Sequence, residues 1–157
     1  MSRFIIAIVS MALLTNTCND EASSNETDRK NGYAPVLKTR EDSLFHDVME
    51  GHDAGMAKVG KLRRNINETA RRLDSLNKLP ASKVNAAYKQ ALTDVHAALN
   101  TANDEMNSWM ESFKLDSASD NKELRIKYLQ GEKEKVAVVK EHIFSALQQA
   151  DSVLTNK

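Results

Sequence analysis

The sequence is short of cysteine, proline, glycine and aromatic residues. It has one cysteine, two prolines, five glycines and one tryptophan in 157 residues. A lone cysteine excludes an internal disulfide framework. The scarcity of proline and glycine excludes collagen-like and low-complexity classes. Few aromatics, with Ala, Leu, Lys, Glu, Asn and Ser dominant from Thr39 onward, disfavour sheet. Neither charge sign is in excess, with 22 basic and 22 acidic residues. That balance argues against a general nucleic-acid binder, which needs surplus Lys and Arg to displace counterions. No GxGxxG, Walker loop, HExxH, CxxC or GxSxG occurs. The longest apolar run, Phe4 to Leu14, is too short to span a bilayer comfortably as a permanent helix.

What is present begins with that run. Arg3 precedes "FIIAIVSMALL", and "LTNTC" follows it. A positive start, a short apolar core and a small-residue exit read as a secretion signal over residues 1–17. The exit resembles a bacterial lipoprotein signal of the looser kind found in Bacteroidota, with Cys18 as the lipidated first residue of the mature chain. A plain signal peptide with an incidental cysteine is the alternative. Residues 18–39, "CNDEASSNETDRKNGYAPVLKT", carry little to bury and read as a flexible tether. The early acids Asp20 and Glu21 resemble an export tag to the outer face, or are part of a soluble linker.

Residues 40–157 read as the folded domain. Phe45, Met49, His52, Met56 and Val59, then Leu62, Ile66, Thr69, Leu73 and Leu76, follow steps of three and four along one long helix. Thr39 or Asp42 is its expected cap, and Pro80 ends it. A second helix, expected to start at Ser82, carries Leu92, Val95, Leu99, Ala102, Met106, Trp109 and Phe113. A third, capped by Asp120 with Glu123, carries Ile126, Leu129, Val136, Val139, Ile143, Ala146, Ala150 and Val153. "QGEKEK", Gln130 to Lys135, interrupts its stripe, so a fray or kink is expected there. Short connections favour antiparallel neighbours. The expected fold is therefore all-α: an antiparallel up-down-up three-helix bundle with long, coiled-coil-like helices. A thin rod offers no deep cleft, which lowers the expectation of an enzyme.

The segment "HDVMEGHDAGM" poses the main chemical question. His46 and His52 are six residues apart and point roughly 120° away from each other, so one helix cannot bring both to one ion. Folding the hairpins instead gathers Met49, His52, Met56, Met106, Trp109, Met110 and Tyr128 at one end of the bundle. Thioether and imidazole ligands suit Cu(I), making Met49, His52, Met56, Met106 and Met110 a candidate soft-metal set. The competing reading is that Met fills irregular core gaps beside aromatics, with no metal and no cofactor. His96 and His142 sit beside the apolar stripes without further zinc ligands.

Helix one is acidic in its first half and basic in its second, from Lys58 to Lys78. This is a patch for anionic lipid, glycan or protein, or a solvated face with pairs such as Glu68 and Arg72. "DSL", "DSL", "DSA" and "DSV" place Ser43, Ser75, Ser117 and Ser152 in a pattern that looks like the O-glycosylation sequon of exported Bacteroidota proteins. Ser117, in a loop, is the best acceptor, and Ser43 is another. Asp-Ser also caps helices.

"HDVMEGHDAGMAKVGKLRRNI" followed by "ANDEMNSWMESFK" resembles a group of small Bacteroidota lipoproteins often labelled "viral A-type inclusion protein". The resemblance covers about residues 44 to 150 and the signal. It implies a helical protein of the cell envelope, lipid-anchored in the outer membrane, with no assigned activity. Gly51, Gly55 and Gly60 depart from the pattern; they weaken the first helix or allow close helix approach. The expectation is a non-enzymatic structural or interaction protein. Its partners are the membrane and an envelope protein or glycan, a homo-oligomer is allowed, and a copper-binding protein or chaperone is the alternative.

Overall fold

A computed structural model describes residues 37–155. The expected signal and most of the tether, including Cys18, lie outside the described residues. Three helices pack against one another: α1 (Arg40–Asn77), α2 (Ala86–Ser112) and α3 (Lys122–Thr155). A 3-10 turn at Ala81–Lys83 links the first two. No strand occurs among the described residues, and no helix there is long and apolar enough to cross a membrane.

Each helix starts where a side chain satisfies its free amides. Thr39 caps α1 in a reciprocal box with Asp42. Asn85, three residues beyond the expected Ser82, caps α2 by accepting from the Tyr88 amide. Ser82 lies within the 3-10 turn instead. Asn121 Oδ1 accepts from the amides of Glu123 and Leu124 and starts α3, in place of Asp120. Helix α3 runs unbroken through Gln130 to Lys135, where a fray was expected.

The α2 stripe packs as expected, with Leu92, Val95, Leu99, Ala102, Met106 and Trp109 buried. The first half of α1 does not. Its buried face is Leu44, Val48, Gly55 and Val59, while Phe45, Met49 and His52 are half-buried and Met56 is exposed. The two glycines explain the shift. A Cβ on Gly51 would stand 2.9 Å from Val136 Cγ1, and one on Gly55 would stand 2.5 Å from Met106 Cε. The side chains of α2 and α3 therefore reach into the space that α1 leaves empty.

Pairs along the seams fix the register. Glu41 meets Arg125, Asp47 meets Lys133 and Lys61 meets Asp151 between α1 and α3. His52 meets Trp109, and Thr69 meets His96, between α1 and α2. Between α2 and α3, Glu105 meets His142 and Trp109 meets Glu132.

Candidate functional site

The expected gathering around Trp109 is partly present. The His52 ring lies 5.6 Å from the Trp109 ring. Trp109 stacks on Phe113 at 5.0 Å, and Phe113 on Tyr128 at 6.1 Å. Arg125 lies over the Tyr128 ring, pairs with Glu41 at 3.1 Å and donates to the Ser117 carbonyl. The Tyr128 hydroxyl accepts from the Lys114 amide at 2.7 Å. This end of the bundle is thus an aromatic column held by polar contacts from all three helices.

Glu132 is the residue that pattern reading missed. It is buried, and its carboxylate accepts from Trp109 Nε1 at 3.0 Å and from Lys135 Nζ at 2.8 Å. A buried charge is tolerated only with such partners. The signal was its register. Arg125, Leu129, Glu132 and Val136 continue one stripe, so the "interruption" is a polar core position.

The methionines differ among themselves. Met106 is 1% exposed and lies under Gly55. Met56 and Met110 are each 37% exposed, and Met49 is half-buried. His52 Nδ1 stands 2.9 Å from Asp53 Oδ1. A carboxylate only accepts, so Nδ1–H is the donor in this contact. His96 Nδ1 lies 2.9 Å from the buried Thr69 hydroxyl, and His142 Nδ1 2.6 Å from Glu105. On the first turns of α1, the ligand atoms of His46, Asp47 and Glu50 lie within 4.8 Å of one another. Asp47 is already engaged by Lys133 at 2.8 Å, whose hydrogen bond holds its carboxyl below the usual range.

A large cavity lies elsewhere, on the seam between α2 and α3. An open groove of about 770 Å³ has Trp109 and Val139 at its base, and Thr101, Ser108, Ser112 and Val138 on its walls. Val138 is 53% exposed. The groove continues past the Glu105–His142 bridge into a smaller recess of about 250 Å³ lined by Ala98, Ala102, Ser145 and Ala146. On α2 its wall positions, Ala98, Thr101, Glu105, Ser108 and Ser112, follow steps of three and four. Apart from Glu105 these side chains are small and leave the apolar base uncovered.

Much of the basic half of α1 is engaged. Glu68 accepts from both Arg71 and Arg72, and their hydrogen bonds, Arg71's first, hold its carboxyl down to about 2. Lys61 pairs with Asp151 and Lys78 with Asp74. Ser117 sits in the α2–α3 loop, half-buried, with its carbonyl bound to Arg125. Ser43 and Ser75 lie inside α1 with hydroxyls donating to the Thr39 and Arg71 carbonyls. Ser152 lies in α3.

No protein-family model matches the chain, and no curated protein or solved structure matches it.

Proposed function

We propose that this is a lipid-anchored, non-enzymatic protein of the cell envelope whose bundle serves as an interaction module. Cys18 is the anchor and the outer membrane the site, on the grounds of the signal-like start and the resemblance given above. The helices run up, down and up. The rising order of the Glu41–Arg125, Asp47–Lys133 and Lys61–Asp151 pairs supports this, with the reversed order of pairs to α2.

The observation that carries the interaction reading is the open α2–α3 groove with its apolar base. Its occupant is an amphipathic helix of an envelope protein. The helix lays an apolar stripe on Trp109, Val138 and Val139, and its basic residues face Asp104 and Glu105. Trp109 is the only tryptophan, so its emission reports occupancy directly. Titration with a Leu/Lys model helix shifts that emission to the blue, a Leu/Glu helix does not, and Val138→Glu abolishes the shift. No shift with either peptide overturns the groove reading. Separately, Cys18→Ser releases the protein from the membrane fraction and removes the acyl mass.

A second reading is a soft-metal site at His52. Asp53 fixes the Nδ1 proton, which is how ligating histidines are commonly oriented, and Met49 and Met56 share that side of α1. Cu(I) then raises the melting midpoint of the full chain, and His52→Ala removes the rise. An unmoved midpoint discards the site.

A further inference from the structure

Several exposed features of α1 have no explanation among the described residues. Gly60 sits in mid-helix, where glycine costs about 1 kcal/mol relative to alanine. Gly51 and Gly55 have neighbours that need the space. A Cβ on Gly60 would meet only Arg64 Nη1, at 3.6 Å. Beside it, Met56 is 37% exposed. Arg63 and Arg64 are exposed and form no ion pair among the described residues, and Asp53, with a side chain 73% exposed, contacts only its neighbour His52.

These residues share one face. With about 100° per residue, Met49, Asp53, Met56, Gly60, Arg63 and Arg64 fall within an arc of roughly 100°, turned away from the core positions Leu44, Val48, Gly55 and Val59. The face is also self-complementary in charge when reversed. Its one acid, Asp53, precedes the glycine, and Arg63 and Arg64 follow it.

We propose that this face binds a second copy of the chain, with the two α1 helices antiparallel and crossing between Met56 and Gly60. A two-fold interface repeats each contact twice. Asp53 and Arg64 lie on opposite sides of the crossing, each about 8 Å along the helix from it. Asp53 of one copy therefore meets Arg64 of the other, and the reciprocal pair forms as well. Arg63 stands beside each pair. The bare Gly60 backbones let the helices approach closely, and the Met56 side chains pack across the axis, where their flexibility suits an adaptable contact. This interface leaves the α2–α3 groove free and stands independently of it.

Sedimentation of the full chain tests the proposal through charge reversal. The native chain is a dimer. Asp53→Arg alone or Arg64→Asp alone sets like charges against each other twice and raises the dimer dissociation constant about tenfold or more. The two changes together restore the opposite-charge pairs and the dimer. Gly60→Leu separates interface from fold. A Cβ there meets only the flexible Arg64 guanidinium, so helix content and a cooperative melt are kept while the dimer is lost. A monomeric native chain, single reversals that leave the dimer intact, or a double reversal that fails to restore it would each overturn the proposal.

Discussion

Against α1, helix α3 sets Val136 and Ile143 into space left by Gly51 and Gly55, and three ion pairs cross the seam. Against α2, the same helix leaves a groove of about 770 Å³ between small side chains, bridged by Glu105–His142 and anchored beneath by Trp109–Glu132. Across one seam, missing side chains on the core face of α1 let its neighbours reach in, with a recess of about 330 Å³ left on the outside. Across the other, short side chains on α2 flank the apolar base of the groove. Small residues thus have opposite consequences. On a core face they draw helices together, whereas on a flank they expose what lies beneath. Stability should be concentrated in the first seam and recognition in the second.

The sharpest way to break that contrast is to refill the closed seam. Gly55→Leu would place its side chain on Met106 and Ile143, both of them buried in the core. We expect a loss of about 3 kcal/mol, near the upper end for overpacking. It would appear as a lower urea midpoint with an unchanged slope. Gly51→Ala is milder, because the gain in helix propensity offsets part of the clash with Val136.

Next in size is the buried pair beneath the open seam. Glu132→Ala leaves the Trp109 indole N–H without its acceptor and costs about 1–3 kcal/mol. Removing both polar groups, as Trp109→Phe with Glu132→Leu, should cost less than the sum of the single changes, since no orphaned group remains. A double-mutant cycle by thermal melting reads the coupling. Additive losses would mean that the carboxylate and indole are not partners.

A smaller effect of opposite sign sharpens the comparison. Gly131, on α3, has nothing within 4 Å of where a Cβ would stand. Gly131→Ala should therefore stabilise by about 0.5–1 kcal/mol through helix propensity alone. The same substitution type destabilises one seam and stabilises a helix beside the other.

These differences also show what was legible beforehand. The α2 stripe could be read because every position on it is apolar. The expected α1 stripe holds from Val59 through Leu62, Ile66 and Thr69, but its first half lies one face off. Phe45, Met49, His52 and Met56 are larger and more apolar than the glycines that occupy the true core face, and glycine contributes nothing to an apolar pattern. The volume filling that face belongs to Val136 and Met106, in distant helices. Glu132 looked like a break because its acceptor role is visible only once Trp109, 23 residues away in sequence, lies beside it. The groove was hidden for the same kind of reason. Ala98, Thr101, Ser108 and Ser112 look like ordinary helix surface until a second helix is placed along them.

The smallest expected effect concerns acid. Lys133 donates to Asp47 across the α1–α3 seam and lowers its carboxyl from the ordinary value of 3.8. A carboxyl whose folded value is depressed stabilises the fold above its unfolded value, and that contribution is lost as pH falls through the folded one. Asp47 therefore contributes fully above about pH 4 and fades below it. Its side chain is 36% exposed, so solvent screens the pair, and exposed pairs of this kind contribute roughly 0.2–1 kcal/mol. Glu68, held down to about 2 by Arg71 and Arg72, adds a second loss from about pH 4.5 downward, within α1 alone. Lys133→Met distinguishes the two. It should flatten the part of the pH–stability curve just below pH 4 and reduce its salt dependence, while the Glu68 part persists. An unchanged curve would mean that the Asp47–Lys133 pair contributes nothing measurable to this seam.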